Sequence, residues 1–174
     1  MEARSRQFNI YLTLATALGL LCSCNTNKPH GQVSALRVHI EANPDTAGTT
    51  EEVSVIRADP VLVTITKQPI LTEANVVAAK IIDAPGGFAI NVHFDETGTW
   101  ILELNTAANT GRHLALFGQW GEKLANGRWL AAPLITHRIA DGALSFTPDM
   151  SRAEAEQFIV GLSNSAAFYI KQFK

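Results

Sequence analysis

The first 24 residues most constrain the rest, because they claim both of the chain's cysteines. Arg4 and Arg6 precede Phe8–Leu21, an uncharged and mostly apolar run. That run is shorter than the roughly 20 apolar residues needed to cross a bilayer and suits the core of an export signal. Leu21-Cys22-Ser23-Cys24 then follows the pattern of a bacterial lipobox, with Leu at −3 and small Ser at −1 relative to Cys24. The competing frame ends Gly19-Leu20-Leu21-Cys22 and places bulky Leu beside the cysteine, so Cys24 is the expected lipid-attachment residue. The alternatives are an ordinary secretory signal with incidental cysteines and an uncleaved signal anchor. If Cys22 leaves with the signal and Cys24 is acylated, the mature chain has neither a disulfide nor a free thiol. Its fold then depends on an apolar core alone.

Residues 1–24 are therefore expected to be a lipoprotein signal peptide. Residues 25–32, polar and broken by Pro29 and Gly31, are expected to be a tether, and residues 33–174 one domain. Asn25 rather than Asp follows the acylated cysteine, which by the sorting rule favours the outer membrane over the inner. The chain is 47% hydrophobic and 17% charged, with mean hydropathy +0.08, a composition that can fill a core. Its 14 basic and 16 acidic residues are mixed along the sequence. That excludes nucleic-acid binding through a concentrated basic field.

Within the domain, Leu36, Val38 and Ile40 alternate with Arg37, His39 and Glu41, the signature of a strand with one wet face. Residues 43–50 read as a loop, and 52–57 and 61–67 as β-branched strands around Asp59-Pro60. Thr72–Asn75 fits one helical turn. Val77–Asp83 and Phe88–Phe94 flank the turn signal Ala84-Pro85-Gly86-Gly87. Asp95 is placed to cap a helix through Ala108, with Trp100, Ile101, Leu104 and Ala108 as its buried stripe. His113–Phe117 and Trp129–Ile139 read as strands joined by a tight turn at Asn126-Gly127, the second interrupted by Pro133. Ser151 and Glu154 form a capping box. Ala155, Phe158, Ile159 and Leu162 then lie on one helical face. Residues 167–173 read as a last short strand. The order predicts an α+β fold, an antiparallel or mixed sheet with two main helices on one face.

The chain contains no nucleophile elbow, phosphate loop, dinucleotide fingerprint or paired metal-binding histidines on a helix. His39, His93, His113 and His137 fall on the wetter faces of predicted strands, without metal-ligand spacing. Asp95 and Glu96 are adjacent on a helix and face apart, so they are capping residues rather than an acid–base pair. The reading is of no catalytic residue, no metal and no cofactor. Trp120 and Trp129 flank the predicted hairpin loop and are the expected protein-contact residues, while Trp100 belongs to the core stripe.

Residues 88–164 resemble the head subdomain of the first periplasmic domain of the SecD/SecDF family. The likeness runs through Gly86–Gly98 (Gly-Gly-Phe-Ala-Ile-Asn-Val-His-Phe-Asp-Glu-Thr-Gly), then Gly111–Leu116, then Asn126–Ile135 with its Ala131-Ala132-Pro133 core. It closes with Phe146-Thr147 and Ser151–Leu162. Residues 118–125 look like an insertion, and the family's transmembrane helices have no counterpart here. The resemblance implies a non-enzymatic envelope domain that contacts an exported polypeptide or a Sec or other envelope protein. A rigid display module is the alternative, and an enzyme built on the histidines a third reading.

Overall fold

The computed structural model describes residues 31–172; the expected signal, the expected tether up to His30 and Cys24 lie outside the described residues. Nine strands and two main helices follow one another as β1 (Ala35–Ile40), β2 (Thr50–Val55), β3 (Val61–Thr66), β4 (Leu71–Thr72), β5 (Val76–Ala84), β6 (Gly87–Phe94), α1 (Glu96–Ala108), β7 (Leu114–Trp120), β8 (Asn126–Ala131), β9 (Ala143–Phe146) and α2 (Arg152–Gln172). The α+β class is as the sequence implies. The β-structure, however, is divided among three sheets: β4-β1-β7-β8, the hairpin β2-β3, and β5-β6-β9. Every strand pair is antiparallel.

The main core forms where the first and third sheets meet α2. Leu36 and Val38 of β1, Leu114, Leu116 and Trp120 of β7, and Leu130 of β8 are buried together with Ile90 and Val92 of β6. From α2 come Ala155, Phe158 and Leu162, fully buried on the face given by their spacing. The helix packs on β5 and also touches β1 and β7. Its capping box is reciprocal: the Ser151 N–H donates to Glu154 Oε2 at 2.8 Å, and the Glu154 N–H donates to Ser151 Oγ at 3.3 Å. The β2-β3 hairpin closes the other face of the first sheet. Val55, Val63 and Ile65 bury Ala115 there, with Trp129 packed against them.

Three expectations are corrected. Residues 167–172 continue α2 rather than forming a strand; neither proline nor glycine follows Gly161, so nothing stops the i→i−4 ladder. The chain turn between β7 and β8 lies at residues 121–125, not at Asn126-Gly127, which already pair with Trp120 and Gln119. Gly121 opens it at φ +87°, and Lys123 and Leu124 also adopt positive φ, a conformation that their residue types do not signal. Lastly, β8 ends at Ala131 rather than running to Ile139. Pro133 cannot donate to a ladder, and residues 132–142 become an irregular strap leading to β9.

Candidate functional site

Trp120 and Trp100 exchange the places expected of them. Trp120 has no exposed surface. Its ring meets Phe158 edge-on at 6.0 Å, and the Arg128 guanidinium lies 4.8 Å over it. It is therefore a core residue and cannot serve as a contact surface in this structure. Trp129 is half-buried, edge-on to Phe117 at 5.2 Å and to His39 at 5.3 Å, beneath the β2-β3 hairpin. It borders a cavity of about 360 Å³ shared with Arg37, Glu51 and Lys67. Trp100, expected in the core, is 63% exposed.

The reason lies in how α1 packs. Its buried residues are Gly98, Leu102 and Thr106, spaced i, i+4, i+8. A side chain on Gly98 would bring Cβ within 2.9 Å of Phe94 Cβ and 3.0 Å of Asn75 Cβ. The helix comes close through this row of mostly small residues, so Trp100 and Leu104 turn outward while Ile101 stays packed against the core. Asp95 still caps it, with Oδ1 accepting from the Gly98 N–H at 2.6 Å. Trp100, Leu104 and Ala107 consequently form an apolar ledge, bordered by Glu103 and Arg138.

The strap runs beside this ledge. The Ile139 N–H donates to Thr106 Oγ1 at 2.9 Å, Arg138 pairs with Glu103, and the Phe94 N–H donates to the Gly142 carbonyl at 2.9 Å. At its other end the Leu114 N–H donates to the Pro133 carbonyl, and the Ile135 N–H to that of Arg112. A cleft of about 620 Å³ opens between strap and β9, with Leu114, Leu134, Ile135 and Leu144 among its walls. Leu134 is half-exposed. Arg138 borders both cleft and ledge.

Charges hold the edge of the cleft. Glu41 Oε2 accepts from the His113 N–H and meets His113 Nδ1, each at 2.7 Å, fixing the start of β7 next to the cleft. Burial raises the Glu41 pKa, but the His113 hydrogen bonds outweigh it, helped by Arg112, and the net direction is downward. His39 is buried, and burial lowers its pKa despite its hydrogen bond to the Thr66 carbonyl. His137 is exposed on the strap and His93 lies in β6. Among the described residues no group of three His, Cys, Asp or Glu could hold a metal ion. An apolar ledge beside an open cleft is the arrangement of a binding surface. Sequence periodicity pointed away from it; the small residues Gly98 and Thr106, spaced by eight, were the signal that would have found it.

The family model of the SecDF P1 head subdomain matches residues 49–167. Among solved structures, one of SecDF, described as a membrane component that enhances protein export, matches at 21% identity and a TM-score of 0.52. The match covers 76% of this chain and 63% of that one. A structure of SecDF in a super-membrane-facing form matches at 20% identity and a TM-score of 0.52, over 76% of this chain and 19% of the other. At these identities the structural likeness is one of fold. No curated protein sequence matches significantly.

Proposed function

The chain belongs to the SecDF P1 head subdomain family, and from that premise we propose that it is a non-enzymatic envelope protein that binds unfolded polypeptide in connection with protein export. The family match over residues 49–167 carries this reading. The face of α1, strap and cleft gives it a place to act. A half-exposed or exposed Trp, Leu and Leu (Trp100, Leu104 and Leu134) is a costly surface to leave in water and a favourable one for apolar segments of an unfolded chain. The fully buried Trp120 drops out as a contact residue, and this face takes its place beside Trp129.

The anchor in this reading is a lipid on Cys24, with the domain held at the outer membrane and facing the periplasm. No described helix is long and apolar enough to cross a membrane. A lipoprotein anchor carrying more than one acyl chain would hold firmly where a single chain binds only marginally. Replacing Cys24 with Ser should abolish acyl labelling, whereas Cys22→Ser should leave it; loss on Cys22→Ser alone would reassign the site.

The binding reading is tested with the purified full chain and a chemically unfolded exported protein, followed by fluorescence anisotropy. The double variant Trp100→Ala/Leu104→Ala should weaken binding by about ten-fold or more, the equivalent of about 1.4 kcal/mol. Absence of binding at high micromolar concentration, with a folded envelope protein recovered by cross-linking, would favour a rigid display module.

A further inference from the structure

The hydrogen-bonding pattern of β9 leaves one side of that strand open. The Phe94 N–H donates to the Gly142 carbonyl. In an antiparallel ladder bonded pairs recur every second residue. With Val92 opposite Leu144 and Ile90 opposite Phe146, those are the bonded pairs between β6 and β9. Ala143 and Ser145 therefore aim their N–H and C=O groups away from β6. Two observations agree with this assignment. The Ala143 N–H is taken up by Asp141 Oδ1 at 3.1 Å. The Asn91 side chain reaches Ser145 Oγ at 2.8 Å, as expected across a non-bonded pair, where side chains are closer.

β9 is the outer strand of its sheet, and no strand lies on its far side among the described residues. The space there is the 620 Å³ cleft, which Ala143, Leu144 and Ser145 help to line. An unpaired edge is a template for another strand. Natural proteins protect such edges with charge or brevity; β9 is short, at four residues, and Asp141 lies across one of its donors, which leaves room for a short added strand only. The Ala143 carbonyl and both main-chain groups of Ser145 remain without a partner among the described residues.

We propose that an extended polypeptide segment adds to β9 as a fourth strand of the β5-β6-β9 sheet, captured by main-chain hydrogen bonds at Ser145 and Ala143. This rests on the polypeptide-binding reading and gives its mode. Main-chain capture is indifferent to side-chain identity, as a binder of unrelated unfolded segments requires. Apolar side chains of the added strand would meet the exposed Leu134 in the cleft, and the ledge of Trp100 and Leu104 would hold the continuing chain.

Proline at position 145 separates this mode from others. The Ser145 N–H does not serve the β6 ladder, so Ser145→Pro removes an edge donor at a position where an outer strand tolerates proline. Ser145→Ala keeps the N–H and loses only the hydroxyl that Asn91 meets. The full chain is titrated with a labelled peptide of alternating valine and threonine, and with the same peptide N-methylated at every residue, so that neither of its edges can donate to β9. Wild type and Ser145→Ala are expected to bind the unmethylated peptide equally. Ser145→Pro should weaken it about ten-fold or more, with an unchanged circular dichroism spectrum, and the methylated peptide should fail on all three. Equal binding by Ser145→Pro or by the methylated peptide would overturn the edge mode, while binding of either peptide would leave the polypeptide reading in place. A Ser145→Pro chain that loses its native spectrum would leave the methylated peptide on wild type to decide. If wild type bound neither peptide, nor any unfolded protein, both readings would fall. A chain that instead self-associated through this edge and bound no peptide would overturn the proposal in favour of a second copy.

Discussion

The opposed tryptophans give a sharp test of the packing. Trp120 is wholly buried, and truncating a buried aromatic to alanine costs about 3–5 kcal/mol. The edge-on contact with Phe158 is worth about 0.5–1.5 kcal/mol and the Arg128 guanidinium over the ring about 0.5–2 kcal/mol, part of that same sum. One effect works the other way: the Trp120 indole N–H is buried without a hydrogen-bond partner among the described residues. A donor left so costs about 1–3 kcal/mol, which its removal restores. Trp120→Ala should therefore lie near the lower end, about 3 kcal/mol. Trp120→Phe keeps much of the ring and removes the orphaned donor, so it should cost about 1 kcal/mol or less. Trp100→Ala, at an exposed position, should fall within about 0.5 kcal/mol of wild type. Urea unfolding followed by far-ultraviolet circular dichroism avoids dependence on the altered fluorophore. If Trp100→Ala destabilised more than Trp120→Ala, α1 and β7 would be packed the other way round.

Gly98→Ala forces Cβ against Phe94 and Asn75; overpacking of about 1–3 kcal/mol should exceed the roughly 1 kcal/mol gained in helix propensity, and a stabilised variant in urea would contradict the packing row. Phe158→Ala should cost about 3–5 kcal/mol and Ser151→Ala about 0.5–2 kcal/mol, so a larger loss from the cap change would mean that α2 faces the wrong way. Burial depresses the His39 pKa below its ordinary 6.5, so the unfolded chain takes up the proton first as pH falls. That stabilising difference is complete above about 6.5 and is lost as pH falls from there through the lowered folded value. His39→Phe should flatten the urea midpoint across that window, and an unchanged slope would refute the assignment.

Elements governed by local chemistry were legible in the sequence. The α2 capping box, its 3–4 spacing and the Ala84-Pro85-Gly86-Gly87 turn each state their structure within a few residues. The orientation of α1 was not, because a stripe of bulky residues suggests burial that this helix does not give Trp100 and Leu104. Its packing is decided by which face approaches β6 and the 73–75 turn most closely, and Gly98 wins over Trp100 there. The 121–125 turn was hidden for a different reason: Lys123 and Leu124 take positive φ under the constraint of strands on either side. The strap was partly visible, since Pro133 marked an interruption, but its course along α1 depends on Thr106, Glu103 and Gly142, distant in sequence. The proposed binding face thus arises from contacts that periodicity does not encode.

The most direct test of polypeptide capture is photo-cross-linking in intact cells, with a photoreactive residue at position 100 or 137 on the proposed face and at position 62 as a control. Leu62 is 65% exposed on the separate β2-β3 sheet. Adducts with newly exported polypeptides are expected from positions 100 and 137, and few from position 62. Equal adducts from all three positions, or adducts only with a folded envelope protein, would contradict capture at this face.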